Sequence, residues 1–384
     1  MEEIRNLNIL VLGNSGAGKS TLIRAVSKAE VQTGIGAAVT QNIAVYTSGT
    51  WPFNFIDTKG YEYNRAEQRK TLRQVNKYTK EQLKANKGSI DVVWYCIDAM
   101  GKRIPAYNID MMVKTVKKWK NIPVFVVITK SFSEAELDEN INAIEQAFSK
   151  AKHINLKAIL PVVAEQWRIN EELVIQPRGV TELCTATLDC SEEARLISSE
   201  NRERMILEQK GHTADAMVVG ATAAAVVVGA VPIAFDDSFI LVPLETALTK
   251  GIFKVYDIEF SGELVSAVIG STVITNIARA TVSTLVKLIP NVAGSVISAV
   301  VAGFFVSALG EAIIALSEAI YLGKLDAKKT ENAVAFMTEK FKSNPMFKAA
   351  ITYIEKNADK LQGKTAKEIF TLVSGAIKPS DGKK

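Results

Sequence analysis

The stretch NILVLGNSGAGKSTLIRAVSKA, Asn8–Ala29, decides how the first part of the chain folds. It opens on an apolar run of strand length, passes through a glycine-rich turn and continues as an apolar repeat of helical period. Between strand and helix, Gly13 to Ser20 spell G-x-x-x-x-G-K-S, the pattern of a loop that wraps phosphate oxygens. Glycines let the backbone N–H groups turn inward, and the helix that follows brings its positive end to the same anion. The candidate ligands are therefore Gly13, Asn14, Ser15, Gly16, Ala17, Gly18, Lys19, Ser20 and Thr21. In this chemistry Lys19 reaches the β- and γ-phosphates and the Ser20 hydroxyl goes to Mg²⁺.

Outward from this loop, strand-like runs alternate with helical patterns up to about residue 165: NIAVY at 42–46, WPFNFID at 51–57, SIDVVWYCID at 89–98, VFVVIT at 124–129 and AILPVV at 158–163. That order predicts an α/β fold, a mostly parallel sheet flanked by helices with ligands outside the carboxyl ends of its strands. The run WPFNFID leads into DTKG, Asp57 to Gly60. A phosphate loop, a threonine-bearing loop and D-x-x-G after a strand, in that order, resemble the Era-like branch of the translation-factor class of P-loop GTPases. The resemblance implies that Asp57 touches Mg²⁺ through water and that the N–H of Gly60 senses the γ-phosphate. It also implies a switch threonine, which maps to Thr40 just before the second strand, with Thr33 as the other candidate. Small signalling GTPases follow D-x-x-G with a glutamine that orients water. Here Tyr61 follows, so intrinsic turnover is expected to be slow. Gly16 stands where potassium-activated relatives carry Asn, and neither Arg65 nor Arg103 is assigned as an arginine finger.

The family reads guanine with [NT]KxD. In this chain Thr129 and Lys130 match, whereas Phe132 occupies the place of the base-reading aspartate and Glu134 lies two residues further on. The loop Val163-Ala164-Glu165 matches the family's last motif, in which a backbone N–H meets the guanine oxygen; Ala164 is its candidate. Catalytic roles thus fall to Lys19, Thr40, Asp57 and Gly60, metal binding to Ser20, Thr40 and Asp57, and base binding to Thr129, Lys130 and Ala164. The implied cofactors are GTP or GDP with Mg²⁺. A helical stretch after DTKG sets Arg65, Arg69, Arg73, Lys77 and Lys84 on one basic face, either a solvated surface or a nucleotide-dependent partner site.

With 384 residues, two domains are expected, and 48% hydrophobic against 23% charged residues argues against wholesale disorder. Cys96, Cys184 and Cys190 make no disulfide framework, which fits a reducing cytosol. His153 and His212 stand apart in the sequence, so zinc chemistry has no support. The first residues lack the pattern of a signal peptide. Composition changes near residue 190, so the expected domains are 1–190, the GTPase domain, and 191–384, an all-α domain starting with a capping box at Ser191.

Uncharged runs cover residues 216–235, 264–278 and 288–310. The first and third are long enough to span a bilayer, yet Gly220, Ala224, Gly294 and Gly303 suit close helix packing, so a buried bundle and membrane insertion both stay open. Asp236 and Asp237 interrupt the first run. This Ala/Gly-rich half, with its Pro and Asp break and the sequence FKVYDIEFS, resembles the helical domain that follows a P-loop GTPase in YcjF-like bacterial proteins. Residues 321–384 are lysine-rich and amphipathic.

The function expected from these readings is GTP hydrolysis to GDP and phosphate, with the helical domain following the nucleotide state. The alternatives are a dynamin-like or immunity-related GTPase assembling on lipid, with more distant resemblance, and a low-turnover nucleotide-binding scaffold. Expected partners are a guanine nucleotide, a second copy through the GTPase domain, and a membrane or protein through the helical domain. No nucleic acid is expected. The expected location is the cytoplasm or the inner membrane, peripheral or inserted.

Overall fold

The computed structural model describes residues 5–27, 37–40, 43–58, 73, 77, 89–100, 104–117, 121–133, 136–151, 153–168, 174–191, 197–228, 241–270, 272–289 and 292–377. Gly60, Tyr61, Thr33, Arg65, Arg69, Lys84, Arg103, Glu134, Asp236 and Asp237 lie outside these residues. Of the basic stretch, Arg73 and Lys77 are described, both helical and exposed.

The apolar runs become strands β1 (Leu7–Gly13), β3 (Ile43–Thr47), β4 (Phe53–Thr58), β5 (Val92–Asp98), β6 (Val124–Thr129) and β7 (Leu156–Val162). One strand was not legible beforehand. Residues Ala37–Thr40 form β2, antiparallel to β3, so the sheet has seven strands in the order β2-β3-β4-β1-β5-β6-β7. From β4 to β7 every pairing is parallel, and β3 runs antiparallel to β4. After β1 the chain builds one side of the sheet through β4, and it then crosses to the other side with β5. The carboxyl end of β1 is therefore the switch point at which open α/β sheets bind ligands.

Helices α1 (Lys19–Ser27), α2 (Ala106–Val116), α3 (Leu137–Ser149) and α4 (Val180–Asp189) accompany this sheet. Two apolar clusters line its faces. One gathers Leu10, Leu12, Tyr95 and Ile97 with Met112 of α2 and Ile144 of α3. The other gathers Ile9, Phe53, Phe55 and Trp94 with Leu22 of α1 and Leu183 of α4. The buried strands β5 and β6 carry residues for both clusters, which is why they read as continuous apolar runs instead of alternating ones.

Contacts divide the chain into two compact units, residues 1–168 with 175–212 and residues 169–174 with 213–384. The division falls at His212 and Thr213, later than the composition change near 190, because α5 (Ser199–Val228) contributes residues to both units. This helix begins at Ser199, with the Ser198 hydroxyl accepting the Asn201 N–H at 3.3 Å; residues 192–196, which the capping pattern at Ser191 concerns, lie outside the described residues. Its first half is tied to the sheet unit. Gln209 accepts from the Trp51 indole N–H at 3.0 Å and donates to the Ala25 carbonyl at 2.9 Å, and His212 Nδ1 lies 3.1 Å from the same carbonyl.

The second unit is helical. The long apolar helix α9 (Gly294–Tyr321) packs against α6 (Leu241–Val255), α8 (Thr272–Leu288), α10 (Thr330–Ser343), α11 (Pro345–Lys356) and α13 (Ala366–Ile377), with α7 (Gly262–Ile269) and α12 (Ala358–Leu361) completing the described helices. Among the described residues α9 alone is long and apolar enough to cross a membrane, and 78% of its most apolar window is buried within the protein. At Gly303 an added Cβ would lie 2.5 Å from Val226 and 2.8 Å from Phe370, so a small residue is required for that approach.

Candidate functional site

The phosphate loop leaves β1 at Gly13, whose φ of +142° and position over β5 admit no side chain: a Cβ there would lie 2.3 Å from the Cys96 carbonyl oxygen. Gly16 and Gly18 follow at φ +78° and +76°, left-handed conformations that glycine adopts without steric cost. The Ala17 N–H turns back to the Asn14 carbonyl at 3.1 Å, and the first helical bond of α1 runs from Leu22 N–H to Gly18 O at 2.9 Å. The N–H groups of Lys19, Ser20 and Thr21 therefore lack intrahelical acceptors and present the positive end of α1 at the loop.

Lys19 is 6% exposed, and its ammonium donates to the Gly13 carbonyl at 3.2 Å and the Asn14 carbonyl at 3.0 Å. Burial lowers its pKa, opposed by the nearby Cys96 thiol and the Asp57 carboxylate. Asp57, near the end of β4, accepts the Ser20 hydroxyl on Oδ2 at 3.3 Å, while its Oδ1 is buried without a hydrogen-bond partner. Desolvation raises the Asp57 pKa, and Lys19, Ser20 and the Thr58 backbone act against that rise. A half-desolvated carboxylate with an orphaned oxygen beside a serine hydroxyl is a donor pair suited to a hard divalent cation, which takes oxygen ligands. The residues fit Mg²⁺.

At the carboxyl end of β6, Thr129 closes the strand against the loop: its hydroxyl lies 2.8 Å from the Ala17 carbonyl, to which it donates, and 3.1 Å from the Ile97 carbonyl. Lys130 adopts φ +52°, and its ammonium pairs with Asp98 Oδ2 at 2.7 Å. Asp98 ends β5 in register with Thr129, and its Oδ1 accepts the Met100 N–H at 2.7 Å. Phe132 stacks on Trp167 with ring centroids 5.1 Å apart and planes 13° from parallel. Val163, next to Ala164, pairs both ways with Arg178 (3.0 and 2.9 Å), and the Arg178 guanidinium donates to the Ser131 carbonyl at 2.9 Å.

The structure thus brings Gly13 to Thr21 and Asp57 together and ties Thr129 to the loop. Thr40 ends edge strand β2 opposite Ile43. Ala164 follows β7, and Gly60 lies outside the described residues. Sequence reasoning missed Asp98, Trp167 and Arg178. An acid closing a buried strand beside the T-K strand was the available signal for Asp98; none marked the other two.

A glycine loop on a strand-to-helix turn at the switch point of a parallel sheet, with a buried lysine and a carboxylate beside it, defines a P-loop nucleotide-binding domain. Residues 8–130 match the family model of the 50S ribosome-binding GTPase. A probable GTP-binding protein EngB of Methanococcus aeolicus is 28% identical over 136 residues, covering 35% of this chain and 55% of that protein. The chain thus spans about half the length of this curated relative. Among solved structures, a probable GTP-binding protein engB gives a TM-score of 0.30 at 19% identity, covering 41% of this chain and 89% of the other. Era in complex with MgGDPNP and a 16S ribosomal RNA fragment gives 0.32 at 20% identity, covering 56% and 68%. Residues 8–130, which hold the loop, Asp57 and Thr129, are thus similar to a P-loop GTPase domain.

Proposed function

We propose that this chain binds GTP with Mg²⁺ and hydrolyses it to GDP and phosphate, and that the nucleotide state is passed to the helical unit. The observation that carries the reading is the Lys19, Ser20 and Asp57 group at the glycine loop, with one buried Asp57 oxygen left without a partner. On this reading the triphosphate takes the place of the Gly13 and Asn14 carbonyls as acceptor of the Lys19 ammonium. The loop N–H groups hold the β-phosphate, and Ser20 and Asp57 hold Mg²⁺, with Thr40 and Gly60 supplied by the resemblance alone. Mg²⁺, when bound, neutralises charge between the β- and γ-phosphates.

Water attacks the γ-phosphorus, the bond to the β-phosphate oxygen breaks, and GDP leaves with the electron pair while the water proton passes to phosphate. The chain contributes position and charge. Tyr61 in place of a water-orienting glutamine supports slow intrinsic turnover.

Support for coupling comes from α5, which Gln209 and His212 bond to Ala25 at the far end of the phosphate-loop helix and which runs on to Val228. Asp57→Ala tests the assignment: hydrolysis should fall by at least about a hundredfold, the scale on which transition-state contacts act, while GTP binding measured without Mg²⁺ changes little. Equal loss of both would remove Asp57 from the proposed role.

A further inference from the structure

We infer that Asp98 is a positioning residue for the nucleotide base: it holds the Lys130 ammonium so that the methylene stem of that lysine is already ordered at the carboxyl edge of the sheet before a nucleotide arrives. The inference rests on the nucleotide reading above and deepens it by naming a residue that none of the sequence motifs contains.

A lysine alone makes a poor fixed surface, because its stem is long and flexible. Here the stem is held at both ends. At its root, the Thr129 hydroxyl donates to the Ala17 carbonyl of the phosphate loop at 2.8 Å, and the Thr129 carbonyl accepts the Ala99 N–H at 3.0 Å. Lys130 then leaves β6 with φ +52°, a left-handed conformation that residues with a side chain seldom adopt. Such a conformation persists where the surroundings over-determine it, and ligand sites are where it collects. At the tip, the ammonium meets Asp98 Oδ2 at 2.7 Å.

Asp98 is itself fixed independently of Lys130. It is the last residue of β5, in register with Thr129 on β6, and its Oδ1 accepts the Met100 N–H at 2.7 Å. The Lys130 and Asp98 side chains are 31% and 35% exposed, a setting in which an ion pair adds little to stability. What the pair supplies is order. A lysine whose charge is taken up by a neighbouring carboxylate offers a ligand its stem. Lys19 differs, since its ammonium points to the loop carbonyls that the phosphates would replace. A flat base needs an apolar surface beside it, and a stem ordered in advance spares the binding step the cost of ordering it.

The full chain, Asp98→Asn, Lys130→Met and the double variant are compared by titration with fluorescent methylanthraniloyl-GDP in Mg²⁺ and by the single-turnover rate of hydrolysis at saturating Mg²⁺·GTP. Asparagine keeps an oxygen for the Met100 N–H and removes the charge that holds the ammonium. Asp98→Asn should weaken probe binding by about twofold to tenfold, the ordering of one long side chain expressed as affinity. The saturated rate should stay within about twofold, because binding shared by ground and transition states does not enter kcat. In the Lys130→Met background the same change should have no further effect beyond about twofold.

A loss of less than about twofold in Asp98→Asn overturns the inference. A further loss of more than about twofold in the double variant also overturns it, because Asp98 would then act other than through Lys130. A saturated rate that falls more than about twofold in Asp98→Asn moves the residue to the phosphate end or to the fold, and overturns it as well. A wild-type chain that binds no probe overturns the nucleotide reading itself and this inference with it.

Discussion

Replacing Gln209 by Leu should destabilise the sheet unit by an amount set mainly by one stranded donor. Gln209 is 1% exposed and Trp51 2% exposed, so the indole N–H loses its acceptor in a place that water does not reach. The Ala25 carbonyl loses the Gln209 amide but retains His212 Nδ1 at 3.1 Å. A buried donor left unpaired costs about 1–3 kcal/mol. For a unit of roughly 200 residues that lowers the melting temperature by about 2–12 °C.

The companion change Trp51→Phe removes the donor itself and keeps a ring over Phe53, on which Trp51 stacks at 5.7 Å. If the stranded N–H is the cause, the double variant must be more stable than the two single losses add up to, by about 1–2 kcal/mol. Urea unfolding followed by circular dichroism measures this cycle without relying on tryptophan emission. Additivity within about 0.5 kcal/mol would refute the reasoning, because it would show that Gln209 and Trp51 do not share an interaction.

Gly13→Ala places a Cβ 2.3 Å from a strand carbonyl and should cost on the order of 2–4 kcal/mol, against about 1 kcal/mol for Gly16→Ala, which meets nothing within 4 Å; thermal midpoints of the nucleotide-free protein rank the two. In the helical unit, burial pushes the Glu245 carboxyl up to about 7. Below pH 4.5 this group is neutral in both states and costs nothing. Between pH 4.5 and about 7 the unfolded chain ionises first, so stability falls with rising pH, and above about 7 the full penalty applies. Glu245→Gln should therefore gain on the wild type by on the order of 3 kcal/mol between pH 4.5 and 8. Parallel pH profiles in urea unfolding would contradict this.

The sheet unit was legible because its signals were local. An apolar run between turn residues makes a strand whatever lies beside it, and the GNSGAGKS pattern fixes a strand, a turn and a helix at once. Strand β2 was not, since TGIGAAVT carries small residues and glycines and gains its pairing only from β3. The helix start at Ser199 has its own serine-led acidic stretch, Ser198-Ser199-Glu200, which a reading that runs on from Ser191 passes over. For the site, the order of motifs named Lys19, Ser20 and Asp57, which the structure sets side by side, while Gly60 lies outside the described residues. The corner that follows β6 depends on partners far apart in sequence, Lys130 with Asp98, Phe132 with Trp167 and Ser131 with Arg178, which no spacing rule connects. Phe132 read in isolation is a missing aspartate. Read with Trp167 it is one ring of a stacked pair.

Equilibrium binding of Mg²⁺·GTP to the full chain and to Lys19→Ala, by titration calorimetry, addresses the phosphate site directly. In the wild type the buried ammonium at Gly13 and Asn14 changes partners to the phosphates, so binding should be tight and saturable at one site, and the variant should lose about a hundredfold or more. Absence of binding by the wild type, or equal binding by both chains, would contradict the account.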